Sequence, residues 1–454
     1  MSSGPERQIA FSAGKSGTAP ATWGQQAIWD AVRKLGPDAP RYNVTMEFPV
    51  PPGRLVARFL GAVGQLLHLH DSLHTRLLPE EDGGLTQVLD ADGTLPVVVR
   101  TCPEEDIVRE GRALMAELGG LPFDCARQWP LRIGLLERDG DLRYLALSFS
   151  HTAVDGWGLR RVVADLWELT DGADPATIRE LRPAVQPLEE AGYQASVRGQ
   201  RQDAAARRYW ANKLRSGPRQ LFPVRQELPA TTKFPNAVLN SPALAQALEE
   251  VAEARRTSSA TVLLAAVSAM ACRVSGSPDS MLQVVVNNRF LPGLAHAVST
   301  VALEGLFHLP DVGDDFADLV RRAQATLLST YRNAYYDKRL LDAHLADLVA
   351  QEGSIADRSC VFNDRRDLMP RQPGEEVARV PLKEALAKTT LSWPIEFDPR
   401  PHTTFAMDAL NVPGSLELAM TADSRLLPRP AMERFLFGIE DLVVTEALTL
   451  NGLT

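Results

Sequence analysis

His151, Asp155 and Gly156 close a stretch, Leu145 to Gly158, in which the apolar run Leu-Ala-Leu-Ser-Phe leads through Ser150 into a histidine, an aspartate and a glycine. Histidine is the side chain best suited to move a proton near neutral pH. Asp155 is close enough along the chain to order the turn that presents it. Gly156 supplies backbone that bends sharply or lets a ligand approach. Leu159 to Leu169 reads as an amphipathic helix. The three residues therefore sit at a strand–loop–helix junction, where a rigid frame commonly carries reactive groups. The spacing by itself is also that of a histidine satisfied at a strand end, so the rest of the chain must decide.

The elements that position this junction follow from periodicity and turn chemistry. Residues 1–20 are polar and small, and read as a loose N-terminal arm. Helical patterns cover 23–34 and 54–70. Glu80 to Gly84 and Asp90 to Thr94 are turns around strands at 85–89 and 96–101. A helix is expected over Glu104 to Leu118 and a strand over Leu131 to Leu136. Glu137 to Asp141 then makes a hairpin into the strand that delivers His151. The Asp-, Pro-, Gly- and Ala-rich stretch from Thr170 to Pro187 reads as a linker. A second alternation follows. Helices are expected at Tyr193 to Leu214, Pro242 to Thr257 with Ser241 as N-cap, Ser259 to Val274, Phe316 to Tyr331 and Pro430 to Thr445. Strands are expected at Met281 to Asn287, Ser359 to Asn363, Thr390 to Phe397 and Ser415 to Thr421. Both halves are mixed α/β.

Composition narrows the classes. A chain of 454 residues with 45% hydrophobic and 23% charged residues is ordinary for a globular protein with a large core. A net charge of −9 argues against nonspecific nucleic-acid binding. The absence of a long apolar run argues against a membrane span, and the N-terminus has no signal-peptide core. Cys102, Cys125, Cys272 and Cys360 lie far apart and read as reduced thiols, which makes a cytoplasmic location the expectation. No Gly-rich phosphate loop supports nucleotide binding. His68, His70 and His74 invite a metal reading, because a helix would place His70 and His74 on one face. No cysteine or carboxylate set completes a zinc site, so no metal is expected. Asp364, Arg365, Arg366 and Asp367 form a charge cluster that reads as a solvated loop or as a phosphate contact. Trp157 and Trp393 read as packing residues or channel walls.

Several segments together resemble the condensation domains of nonribosomal peptide synthesis, members of the chloramphenicol-acetyltransferase-like acyltransferases. Ser150-His151 through Asp155-Gly156 resembles the H-H-x-x-x-D-G core, with Ser150 in place of the first histidine. Thr22 to Trp29 is similar to the opening S-x-x-Q-x-x-x-W helix, and Tyr42-Asn43 follows it. Leu69 to Leu77 is similar to R-H-E-x-L-R-T-x-F, with Leu69 and His74 replacing both arginines. Pro122-Phe-Asp124, Pro130-Leu-Arg132, Tyr209-Trp210, Asn288-Arg289 and Phe362-Asn363 match further positions.

The resemblance implies an α/β fold of two acetyltransferase-like lobes, 21–175 and 188–454. It implies a V-shaped pseudo-dimer with the active site in a tunnel between the lobes. It implies a freestanding acyltransferase that moves an acyl or aminoacyl group from a carrier-protein thioester to an amine or hydroxyl, giving an amide or an ester. His151 would be the catalytic base or positioning group, and the Gly156 N–H an oxyanion donor. Asp155 and Arg289 would pair as structural support across the lobes. No bound cofactor is expected. The substrate would ride on the phosphopantetheine arm of a carrier supplied in trans, and the acceptor would be a small molecule or carrier-bound. Ser150 is expected not to be a nucleophile. Two alternatives stay open. One is an inactive recruitment platform, which the altered core motif favours. The other is a coenzyme-A-dependent acyltransferase, although the late D-F-G-W-G of such plant enzymes is absent.

Overall fold

The strand that leads to His151 is an interior strand of a five-stranded sheet, paired on both sides. A computed structural model describes residues 6–222, 233–368, 379–398 and 402–452. The chain divides into two compact units. The first comprises residues 1–201, 287–302 and 337–339, and the second 202–286, 303–336 and 340–454.

In the first unit the elements run β1 (Glu6–Ser12), β2 (Gly17–Pro20), α1 (Trp23–Leu35), β3 (Val44–Pro49), α2 (Val56–Leu69), β4 (Thr75–Pro79), β5 (Leu85–Leu89) and β6 (Asp92–Thr101). They continue with α3 (Ile107–Gly119), β7 (Leu131–Arg138), β8 (Asp141–Phe149), α4 (Gly156–Thr170), α5 (Pro175–Leu181), α6 (Pro187–Ala195) and the start of α7 (Val197–Ser216). The main sheet has the order β1-β6-β7-β8-β3, and a small sheet has the order β2-β5-β4. Successive β8 side chains face opposite ways. Leu145, Leu147 and Phe149 enter the core with Phe59 and Leu66 of α2 and Val162 and Leu166 of α4. Tyr144 and Ala146 enter a second cluster with Leu114 and Leu118 of α3. The sheet is covered on both faces here, so β8 is buried continuously from Tyr144 to Phe149 rather than on alternate residues.

Two expectations fail here. The supposed loose arm is structured: β1 pairs antiparallel with β6, and Ile9 and Phe11 are buried. Their period-two spacing gives the segment an apolar side that the sheet edge accepts. The supposed linker contains α5, capped by Asp174, whose carboxylate accepts the Thr177 N–H at 3.0 Å. Ile178 of α5 joins the core.

The second unit holds the rest of α7 and then β9 (Phe234–Ser241), α8 (Pro242–Arg255), α9 (Ser259–Ser275), β10 (Ser280–Val286), β11 (Leu303–Leu309), α10 (Phe316–Arg332) and most of α11 (Lys338–Glu352). It ends with β12 (Cys360–Asp364), α12 (Leu382–Leu386), β13 (Thr390–Phe397), β14 (Phe405–Val412), β15 (Ser415–Ala422) and α13 (Arg429–Leu450). Its sheet has the order β11-β10-β12-β14-β15-β9-β13. α8, α9 and α13 supply much of the apolar layer against that sheet. Ser241 caps α8, accepting the Leu244 N–H at 2.8 Å. Among the described residues no single helix is long and apolar enough to cross a membrane.

Candidate active site

After Phe149 the chain leaves the sheet in a tight turn. The Ser150 N–H donates to the Pro130 carbonyl at 3.0 Å and the Ala153 N–H to the Ser150 carbonyl at 3.0 Å. The turn ends at Asp155, the N-cap of α4, whose Oδ1 accepts the Gly158 N–H at 2.8 Å. Capping explains why an aspartate stands just before the helix. Capping is only part of its role. Arg289 donates to both carboxylate oxygens, Nη2 to Oδ1 at 2.8 Å and Nη1 to Oδ2 at 2.9 Å. The backbone N–H groups of Val301 and Ala302 also donate to Oδ2, at 3.2 and 3.1 Å. A buried carboxylate with five donors has no free lone pair with which to take a proton from substrate. Asp155 is therefore a clamp.

Arg289 is aimed by its neighbours. Asn288 adopts φ of 55°, a left-handed conformation that asparagine tolerates better than most residues. Its amide donates to the Val301 carbonyl at 2.9 Å. The Arg289 guanidinium also donates to the Ala297 carbonyl at 3.0 Å. Arg289 was expected in the C-terminal lobe, but its segment, residues 287–302, groups with the first unit.

The clamp holds His151. The Thr300 hydroxyl, on the same segment as Arg289, donates to the His151 carbonyl. Thr300 is itself pressed against α1: a Cβ on Gly24 would lie 1.8 Å from the Thr300 carbonyl oxygen, so only glycine fits there. The His151 side chain is partly exposed. Its Nδ1 is enclosed and has no hydrogen-bond partner among the described residues. The Tyr42 ring lies 6.1 Å from the imidazole, tilted by 39°. Burial pushes the imidazole below the usual histidine value, against the opposing pull of backbone groups and of Asp155. It is therefore neutral, and able to accept a proton, near pH 7. Gly156 opens α4. The first N–H groups of a helix have no intrahelical acceptor and sit at its positive end.

The other candidates have different roles. Ser150 is buried, its hydroxyl 2.7 Å from Thr152 Oγ1 and 3.6 Å from Cys125 Sγ. Ser150, which stands at the first histidine's position in the motif resemblance, is satisfied by this cluster. Burial holds the Cys125 thiol above its usual value, which keeps it protonated and a poor nucleophile. The helical reading of His70 and His74 is corrected: α2 stops at Leu69, and a 3₁₀ turn carries Asp71 to His74. His70 Nε2 pairs with Asp165 at 3.0 Å, and His74 Nδ1 faces the Asp90 carbonyl at 2.8 Å.

The charge cluster is solvated at Arg365 and Asp367, which are exposed, whereas Arg366 is half-buried. It bonds Asp364 at 2.8 Å and Ser259 at 3.1 Å, which leaves little of it for a phosphate. Trp393 stacks under Arg429 at 4.8 Å. Trp157, the second residue of α4, has an enclosed Nε1 without a partner among the described residues. Thr300 and Gly24 escaped the sequence reading. Neither stands in a chemically suggestive pattern, and their roles arise from a backbone approach between segments far apart in the chain.

This geometry sits in a chain that the Condensation domain family model matches over residues 15–367. The chain belongs to the condensation-domain family. These domains serve nonribosomal peptide and polyketide systems, where they transfer acyl groups presented on carrier proteins. Phosphinothricin tripeptide synthetase PhsC of Streptomyces viridochromogenes is 26% identical over 378 residues, covering 80% of this chain and 34% of that protein. A dimodular nonribosomal peptide synthase of Bacillus subtilis is 27% identical over 331 residues, covering 69% of this chain and 14% of its own length. The chain thus spans about a third or less of these relatives. A solved structure concerned with condensation domain-mediated chain release from the enacyloxin polyketide synthase superposes with a TM-score of 0.70 at 21% identity, covering 95% of this chain and 82% of that one. SgcC5 from Streptomyces globisporus superposes with a TM-score of 0.64 at 18% identity, covering 94% and 98%. These likenesses show the fold.

Proposed function

We propose that this chain is an active condensation enzyme. It takes an acyl or aminoacyl group from a thioester on a carrier's phosphopantetheine arm and joins it to an amine or hydroxyl. The observation that carries the reading is the contrast within one loop. Asp155 is bound by five donors, while the adjoining His151 is partly exposed and burial holds its imidazole below the usual histidine value. A rigid mount beside a partly exposed imidazole with a lowered pKa suits proton transfer.

In the proposed reaction the acceptor nitrogen or oxygen attacks the thioester carbonyl carbon, and His151 takes or steadies the proton that the acceptor loses. The carbonyl oxygen gains charge at the N-terminal end of α4, where the Gly156 N–H would donate to it. The C–S bond then breaks, and the phosphopantetheine thiolate leaves with a proton. Asp155 and Arg289 do no chemistry in this scheme. They fix the loop. No phosphopantetheine attachment motif of the G-G-x-S type lies within the 454 residues, so an assay supplies the carrier as a separate protein.

The test is product formation from a panel of acyl- and aminoacyl-loaded carriers, with the same acyl groups on coenzyme A as the competing donor. Turnover from carriers, reduced on the order of 10²-fold or more in His151→Ala, is the expected result. Preference for coenzyme A would reassign the donor. Unchanged turnover in His151→Ala would remove His151 from the mechanism. The replacement of the first motif histidine by Ser150 favours a second reading, a recruitment platform without turnover. A folded chain that binds carrier but forms no product from any donor would establish it.

A further inference from the structure

The first unit holds a partly open cavity of about 150 Å³ whose wall includes none of His151, Asp155 or Gly156. It lies among the end of α2, the middle of α4, α5, the start of α6, the loop between β1 and β2, and the segment 287–302. Its permanent cations are Lys15, Arg161, Arg179 and Arg182, and its carboxylates are Asp71, Asp165 and Glu189. Each carboxylate has a partner, Asp71 lying 3.9 Å from His74 Nε2. Asp165 is held by His70, Arg161 and Arg182. Glu189 accepts the Gln186 N–H at 3.0 Å at the start of α6. Arg161 and Arg182 also reach Glu168.

The remaining cations have no such partner. Arg179 donates to the His68 carbonyl at 3.0 Å and makes no ion pair among the described residues. Lys15 and His296 make neither an ion pair nor a hydrogen bond among them. His70 forms a further part of the wall. It is 5% exposed, and its Nδ1 is enclosed and unpartnered among the described residues.

We propose that this cavity binds a small oxyanion with the size and charge of a phosphate group, held by Lys15, Arg179 and His296. A cavity of about 150 Å³ has room for one tetrahedral group. The open N–H groups of a guanidinium match two of its oxygens. Lys15 and His296 approach from separate segments, so the anion would join parts of the unit that are far apart in sequence. A metal cation is disfavoured by the same guanidinium groups.

The inference is independent of acyl transfer, because its test reads binding alone. The full chain is titrated with inorganic phosphate at constant ionic strength, with chloride as the reference, and followed by thermal unfolding and by phosphorus NMR line broadening. Binding to the folded state raises the melting temperature as phosphate exceeds its dissociation constant. Arg179→Gln and Lys15→Gln should each weaken phosphate binding by about tenfold, the scale of one lost charge-assisted hydrogen bond. Lys15 is exposed and makes no hydrogen bond or ion pair among the described residues, so its variant guards against a folding defect in Arg179→Gln. A parallel arm uses phosphopantetheine. If it binds and both variants weaken it, the site takes the phosphate end of a larger ligand. If inorganic phosphate alone binds, the site takes the free ion. No shift beyond the chloride control, or equal shifts in wild type and both variants, would overturn the proposal.

Discussion

His151 in the first unit and His308 in the second titrate in the same direction for the same reason: burial holds each imidazole below the usual histidine value. Their surroundings differ. His308 lies in β11, opposite Met281 of β10, and is 3% exposed. Both of its nitrogens are enclosed and unpartnered among the described residues. Lys213 adds to its depression, and Asp279 opposes it. Nothing of substrate size can meet that ring. His151 has one enclosed nitrogen, lies in a partly open loop and is mounted beside the Asp155 clamp. A depressed pKa therefore does not separate a reactive histidine from a buried one. Access and a fixed mount do.

The mount is the place where this contrast breaks most severely. Asp155→Ala leaves the Arg289 guanidinium, whose side chain is 11% exposed, without its carboxylate. It also leaves the Val301, Ala302 and Gly158 N–H groups without acceptors. Removing one partner of a buried pair costs about 3–5 kcal/mol. Denaturant unfolding should show a loss of that size together with the loss of activity. Native stability with a pure rate defect would mean that the carboxylate acts chemically after all.

His308 sharpens the contrast from the other side, with a smaller effect of opposite sign. A buried polar group without partners costs about 1–3 kcal/mol, so His308→Leu should stabilise the protein by up to that amount. The pH dependence follows from the depressed pKa. The unfolded histidine, near 6.5, takes up a proton before the folded one does. Stability is therefore full above about pH 6.5 and falls as pH drops below it toward the folded pKa. Unfolding curves between roughly pH 7 and 5 should be flatter for His308→Leu than for wild type, with turnover unaffected. An unchanged acid limb would mean that the ring finds a partner in solution.

The sequence was most legible where local chemistry decides the structure. Ser241 and Pro242 mark the start of α8 as observed. Leu85–Leu89 and Thr390–Phe397 form strands with the expected bounds. The loop bearing His151 lies between a strand and a helix, as its apolar run and glycine imply. Legibility failed where tertiary contacts decide. β11, Leu-Glu-Gly-Leu-Phe-His-Leu, carries a glycine and two polar groups and was not anticipated. A Cβ at Gly305 would lie 2.6 Å from the Thr330 side chain, so packing against α10 selects glycine there. β3, α11 and β14 were missed as well. α11 buries only Leu341, Leu345 and Leu348, too narrow a stripe to stand out. The pairing of Asp155 with Arg289 joins residues 134 positions apart, which no periodicity encodes. Only the family resemblance pointed to it.

Ser150 provides the smallest expected effect and bears on how much of the motif the chemistry needs. It adjoins His151, yet its hydroxyl faces Thr152 and Cys125 and the residue is 5% exposed. Both residues lie in the turn after β8, where the Ser150 hydroxyl bonds Thr152 Oγ1 at 2.7 Å and, among the described residues, makes no hydrogen bond to the His151 ring, so the imidazole is not placed to deprotonate it. Ser150→Ala removes one short hydrogen bond, to Thr152 Oγ1 at 2.7 Å, and two longer contacts, from the Thr152 N–H at 3.4 Å and with Cys125 Sγ at 3.6 Å, while Thr152 Oγ1 still has Cys125 beside it at 3.9 Å. Such a bond contributes about 1 kcal/mol. The variant should therefore keep most of its turnover and lose little stability. Intact-mass measurement after incubation with acyl donor should show no covalent adduct in either form. An acyl group on Ser150 in the wild type, absent from the variant, would replace direct transfer with a two-step route and would make His151 the base of a serine nucleophile.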